Sequence, residues 1–305
     1  MANESALGKL SQLSAPTLGV FRGSEAVKLG VSRNRLTALL GAGVISRDLP
    51  DTYRMVAVAR SREQRLRAAL LWAGAGAAAA GMSAGEVYRL EGVNAPLPEI
   101  VVPPSNRSRT TKVIVHVAAE HAALMLRTHR SFRTTGVEPT LIALAATLDA
   151  EEFEIACEDA RRRQLTSIPA LNAYLARFGR SGRPGVGPLR DLVRELDPKH
   201  AARSTLEVKT RRLLVALGVT DFAREFPLDW NGRTYLFDFA FARERTILET
   251  NGRRWHDDAA DYEFDNEKWS VPGRHGYRIV LATWSKVTEH PDDLLHELAA
   301  TRAAA

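Results

Sequence analysis

The stretch YLFDFAFARERTILETNGRRWH, Tyr235 to His256, reads as a strand, a tight turn, a second strand and a loop. Each strand carries one carboxylate among apolar neighbours: Asp238 in YLFDFAF and Glu249 in TILETNG. A carboxylate inside a strand is costly to bury unless a charged partner or a metal ion compensates it. Placed on adjacent strands, these two can share one divalent cation. They also fit a structural pair held by Arg243, Arg253 or Arg254.

Working outward, STLEVKTRRLLVALG is predicted to be a helix capped by Ser204, with Glu207 in its first turn and Gly218 at its end. AREFPLDWNG is a strand running into an Asn231-Gly232 hairpin turn. Beyond the central stretch come a helix over ADYEFDNEKWSVPGRHG, the strand YRIVLATW and a last helix, PDDLLHELAAT. The predicted order is α-β-β-β-α-β-α.

This order and its residues resemble the restriction-endonuclease-like superfamily, PD-(D/E)XK, and within it the very-short-patch-repair endonucleases. The anchors are Glu207, Asp238 in D-F-x-F, I-L-E-T-N-G with Glu249 to Gly252, Trp255-His256, and H-G-Y-R-I-V from His275 to Val280. The resemblance covers about 100 residues and implies an α/β nuclease domain with a central mixed sheet. It implies Asp238, Glu249 and the Thr250 carbonyl as ligands of Mg²⁺, or of Mn²⁺ in its place. It implies His256 as the proton-transfer group and Glu207 as a contributor from the first helix. The lysine of the superfamily motif is Asn251 here. The repair endonucleases lack that lysine too, and Lys268 on the following helix is the candidate replacement cation. Oxygen donors suit Mg²⁺, and a histidine titrates near neutrality.

The chain begins differently. SEAVKLG reads as a short helix capped by Ser24, and Ser32 caps a second helix, RNRLTALLGAG. Val27, Val31, Leu36, Leu39 and Leu40 are spaced to pack the two together. VISRDLPDTYRMVAV reads as two strands around DLPD. Helix, turn, helix and two-stranded wing is the winged helix-turn-helix order. It leaves Ser32, Arg33, Asn34 and Arg35 at the exposed helix start, where DNA contacts are made. The pattern S-x-A-x-x-x-G-V-S-x-x-x-L-x-x-L-x-x-x-G-V-I also resembles the N-terminal domain of abortive-infection antitoxins of type IV toxin–antitoxin systems.

Between these lies an α+β segment. SREQRLRAALLWAG and SAGEVYRL read as helices, the second capped by Ser83 with Glu86 three residues on. PEIVVPP and KVIVHVA are strands, and four helical stretches follow from PTLIALAATL to PLRDLVREL. The succession resembles the antitoxin-like middle region, which implies a fusion to a nuclease-like domain. His116, His121 and His129 lack any metal-ligand spacing and read as surface or satisfied histidines. Arg107, Arg109, Lys112 and the run Arg161 to Arg163 are basic clusters that fit either solvated faces or phosphate contacts.

Three segments follow: 1–60 winged helix-turn-helix, 61–198 antitoxin-like α+β, 199–305 restriction-endonuclease-like. Composition fits that division. Of 305 residues, 42 are Lys or Arg and 36 are Asp or Glu, a net charge of +6. The excess sits before residue 200, with 27 basic against 19 acidic residues, and reverses to 15 against 17 beyond it. A basic surface favours a polyanionic partner, here DNA. No apolar run has membrane-spanning length, no secretion signal precedes the first helix, and the single Cys157 excludes a disulfide framework. A cytoplasmic location, no membrane partner and a homodimer among the open assemblies are the expectations. The functional expectation is a Mg²⁺-dependent DNA endonuclease in defence or repair. A non-catalytic, antitoxin-like DNA-binding regulator with an inactive nuclease-like domain is the alternative, and an RNA-directed nuclease stays open.

Overall fold

A computed structural model of the chain describes residues 5–106, 108–118, 120–196, 202, 204–251 and 259–304. The chain divides into two compact units, Met1–Leu196 and Asp197–Ala305. Both mix helices and sheets, and no described helix is long and apolar enough to cross a membrane.

The first unit opens with α1 (Ala6–Ser14), β1 (Val20–Arg22), α2 (Gly23–Lys28), α3 (Arg33–Gly41), β2 (Ile45–Leu49) and β3 (Thr52–Met55). The strands form a sheet of order β1-β3-β2. Ser32 caps α3 as expected, its hydroxyl accepting the Arg35 N–H at 3.2 Å. Ser24 does not cap α2. That helix starts one residue earlier, and the Ser24 N–H and hydroxyl both donate to the Asp51 carboxylate from the β2–β3 turn. Val31, Leu36 and Leu39 are buried as expected, but Val27 and Leu40 are exposed.

The unit continues through α4 (Arg62–Ala73), β4 (Ala78–Ala79), α5 (Gly81–Tyr88), β5 (Glu99–Val102), β6 (Ile114–Val117), β7 (Arg127–His129) and β8 (Phe132–Thr134). These five strands form a second sheet of order β6-β5-β4-β8-β7. The apolar side of α4 lies in one cluster with Val20 and Leu49 of the first sheet and with Ile100, Val102 and Phe132 of the second. Four helices complete the unit: α6 (Val137–Ala145), α7 (Ala150–Arg162), α8 (Ile168–Phe178) and α9 (Val186–Glu195). Their core holds Leu141, Leu144, Ala156, Leu171 and Leu189 with almost no exposure. Cys157 lies there too, its thiol pushed up to about 12 by burial. Ser83 is inside α5 and not its cap, because the helix begins at Gly81. The Arg161 to Arg163 run is tied down by acids, with Arg161 on Glu158 at 2.8 Å and Arg163 on Asp159 at 3.0 Å.

The second unit contains α10 (Thr205–Ala216), β9 (Ala223–Trp230), β10 (Arg233–Phe241), β11 (Thr246–Asn251), α11 (Ala259–Arg274), β12 (Arg278–Thr283), α12 (Trp284–Thr288) and α13 (Pro291–Ala303). The sheet order is β12-β11-β10-β9. β9, β10 and β11 are antiparallel neighbours, and β12 is parallel to β11. A parallel pair needs a crossover between its strands, and α11 supplies it. The β9–β10 turn uses Asn231 and Gly232, both at positive φ (50° and 74°), as a two-residue hairpin with that sequence requires. Helices cover both faces. Leu206, Leu214, Leu294 and Leu298 pack with Phe239, Phe241 and Leu248, while Val271 of α11 packs with Tyr235, Phe237 and Ile247. Coverage of both faces explains why β10 is buried continuously from Phe237 to Phe241.

Candidate functional site

The β10–β11 ladder runs Phe241–Thr246, Ala240–Ile247, Phe239–Leu248 and ends there. The next residues in register are Asp238 and Glu249. Here side chains replace main-chain acceptors. The Asp238 N–H donates to Glu249 Oε2 at 3.0 Å, and the Thr250 N–H donates to Asp238 Oδ2 at 2.9 Å. The Thr250 hydroxyl also donates to Asp238 Oδ2. Each carboxylate is thus fixed by the opposite strand, and both residues are buried.

A backbone irregularity lies at the same place. Tyr235 and Phe237 join the cluster under α11, and so does Ala240, whereas Phe239 and Phe241 face the other core. Simple alternation would not put Phe237 and Ala240 on one side. Across the sheet, Glu225 of β9 has φ 49°, and the Asp238–Glu225 pair is missing from an otherwise regular β9–β10 register. Local departures of this kind re-aim side chains near functional sites.

From α11, the Lys268 ammonium contacts Glu249 Oε1 and lies 5.2 Å from the centre of the Phe237 ring. Even so, the Glu249 carboxyl is pushed up to about 7. Burial is the largest cause and the neighbouring Asp238 charge the next, while Lys268 and the Asp238 N–H pull the other way. Asp238 Oδ1 accepts no hydrogen bond among the described residues. The site therefore holds one carboxylate oxygen with no hydrogen bond among the described residues, a second carboxyl pushed up to about 7, and one ammonium. Among the described residues no three His, Cys, Asp or Glu side chains gather as a metal-holding group; the acids of this site are a pair.

Glu207 stands in the first turn of α10, where Ser204 Oγ accepts its N–H at 3.2 Å. It is buried, and its Oε1 accepts from Arg224 of β9 at 2.9 Å. Arg224 faces Phe239 in the β9–β10 ladder, one residue from Asp238. Neither Arg224 nor the irregularity at Glu225 was expected from sequence; an arginine in a strand beside a buried helix glutamate was the available signal. His256 lies outside the described residues, as do Arg253 and Arg254. Arg243, the other arginine considered for the pair, is not the cation on Glu249.

In the first unit, Ser32, Arg33, Asn34 and Arg35 are all exposed at the start of α3. Arg33 and Arg35 make no ion pair among the described residues. The middle of the unit holds one pairing that the scattered histidines did not suggest: His116 Nε2 lies 2.6 Å from Glu99 Oε1.

No family model matches the chain, and no curated protein matches it. Among solved structures, the chain is similar to the catalytic domain of the homing endonuclease I-Bth0305I, with 16% identity and a TM-score of 0.27, over 33% of this chain and 96% of that one. It is also similar to the RV2827C protein from Mycobacterium tuberculosis, with 18% identity and a TM-score of 0.45, over 65% of this chain and 78% of that one.

Proposed function

We propose that residues 199–305 form a Mg²⁺-dependent endonuclease domain that hydrolyses phosphodiester bonds in DNA, and that residues 1–60 form a winged helix-turn-helix that carries it to its target. The observation that bears this reading is the burial of Asp238 and Glu249 at facing positions of neighbouring strands, with Lys268 on Glu249. Two acids held so close raise each other's cost of ionisation, and a divalent cation removes that cost.

The donor set fits the ion. Asp238 Oδ1 accepts no hydrogen bond among the described residues, Glu249 is adjacent, and hard oxygen ligands are what Mg²⁺ takes. Asp238, Glu249 and the Thr250 carbonyl would hold it, and Mn²⁺ accepts the same set. Bound there, the ion would supply a charge that stabilises the developing negative charge at phosphorus and would lower the pKa of a bound water. Lys268 opposes the burial that favours the protonated form of Glu249, and would add a positive charge beside the scissile phosphate. His256 exchanges the proton, and Glu207 contributes from the first helix.

Support for targeting comes from the order α1-β1-α2-α3-β2-β3, the capping of α3 by Ser32, and Arg33 and Arg35 at its exposed start, which make no ion pair among the described residues. Residues 61–198 are read as the antitoxin-like region that joins the two activities.

A second reading is a DNA-binding regulator of antitoxin type that has lost turnover. Both Glu249 oxygens are already engaged, by the Asp238 N–H and by Lys268, and Asn251 stands where the superfamily lysine would. Plasmid nicking and calorimetric Mg²⁺ and Mn²⁺ titrations on the intact chain and Asp238→Ala separate the two. Metal binding and cutting that disappear together in the variant support the enzyme. DNA binding without metal dependence and without any cutting supports the regulator.

A further inference from the structure

In the first unit, β5 and β6 run parallel with Val101 opposite His116. Glu99, at the start of β5, is buried and held from two sides. Its Oε2 accepts the Met82 N–H at 2.7 Å in the first turn of α5, and its Oε1 takes His116 Nε2 at 2.6 Å. The partial positive charge of a helix N-terminus favours an anion there. Gly81 makes the approach possible: it sits at φ 49°, and a Cβ there would lie 2.2 Å from the Glu99 carboxylate.

This pair opens on a cavity of about 600 Å³, within the range of small-molecule sites. Val101, Ile142 and Phe178 give it an apolar wall. Its charges match with one exception. Glu99 is met by His116, and Glu120 by Arg180 at 3.0 Å. Arg183 is half-buried, lies against the Tyr174 phenol and pairs with no carboxylate among the described residues. His116 Nδ1 makes no hydrogen bond among them either.

We propose that this cavity binds a small organic anion with an apolar body, its carboxylate or phosphate facing Arg183 and His116. The unmatched arginine sets the sign of the ligand, and the apolar wall sets the character of its body. The hydrogen bond to Glu99 is the largest influence on His116 and raises its pKa, favouring the imidazolium, with burial opposing. The charged groups lining the cavity with it are Glu99 of β5, Glu120 beyond β6, and Arg180 and Arg183 beyond α8. Binding therefore weakens as pH rises and His116 loses its proton.

The test is calorimetry on the full chain with phenylphosphate and with benzoate, the two arms distinguishing the acid group. Saturable binding of at least one probe near pH 6 is expected, weakened about tenfold or more by Arg183→Ala and by His116→Gln, as loss of a charge-assisted contact implies. Circular dichroism checks that both variants fold, and imidazole NMR on the wild type gives a readout independent of them. No saturable heat with either probe overturns the proposal. So does binding that leaves both variants unaffected, or that leaves the His116 resonances unmoved.

Discussion

Lys268, on α11, contacts Glu249 at the register position where the β10–β11 ladder has just ended. Main-chain hydrogen bonding stops at Phe239–Leu248, and the strands are joined beyond it by carboxylates. This is where the second unit exchanges ladder regularity for a pair of carboxylates and an ammonium. Removing the ammonium by Lys268→Met leaves Glu249 buried beside Asp238 with only the Asp238 N–H to offset its charge. We expect cleavage to fall by roughly 10²–10³-fold, the size of effect seen when one preorganised donor is removed from an active site. Lys268→Arg should retain part of the rate. A Met variant that cuts as fast as the wild type would remove Lys268 from the chemistry.

Glu249 makes stability depend on pH. Its carboxyl titrates at about 7 in the folded chain and near the ordinary 4.5 when unfolded. Between those values the folded state holds the extra proton. Stability is therefore highest below the unfolded value, declines as pH rises through the window and levels off above about 7. The rise from 4.5 to about 7 corresponds to something on the order of 3 kcal/mol. In metal-free buffer Glu249→Gln should flatten this slope in urea titrations. Added Mg²⁺ should raise the midpoint of the wild type more at about pH 8 than at about pH 5, since the ligand must be deprotonated. Equal slopes in wild type and variant contradict the assignment.

The Glu207–Arg224 pair is a structural test of the same unit. Both side chains are nearly inaccessible, and removing one partner of a buried ion pair costs about 3–5 kcal/mol. Arg224→Met should lower the urea midpoint accordingly. Glu207→Gln keeps the shape and loses the charge, so comparing its cleavage rate with its stability separates support of α10 from a part in turnover.

At the start of α3, Ser32→Ala should cost about 1 kcal/mol through the lost cap. Arg33→Ala with Arg35→Ala tests the proposed contact with DNA instead. Anisotropy with a random duplex should show weaker binding and a salt slope reduced by about 2, near one for each phosphate contact. An unchanged slope means that these arginines do not touch the backbone.

Much of the second unit is readable in the residues. Asp238 and Glu249 stand out because aromatic and branched neighbours surround them, and Asn231-Gly232 declares its own turn. The irregularity at Glu225 is not readable, since nothing local marks a glutamate for positive φ. The β7–β8 hairpin went unseen for a related reason. Its turn places Arg130 and Ser131 at φ 46° and 63° without a glycine or asparagine, and its strands are three residues each. Ser24 and Ser83 misled in a shared way. Both are good local caps, yet α2 and α5 take their caps from distant acids, Asp51 and Glu99, which only the tertiary fold brings to the helix start.

The Asp51 cap has a kinetic meaning. α2 is six residues long, far below the length at which a helix persists alone. The Asp51 carboxylate reaches the Ser24 N–H only when the β2–β3 turn is in place, so the cap depends on the closed hairpin. The start of α2 and the hairpin are therefore expected to open together, and the amide proton of Ser24 should exchange with solvent at the pace of hairpin opening, not at the pace of a fraying helix end.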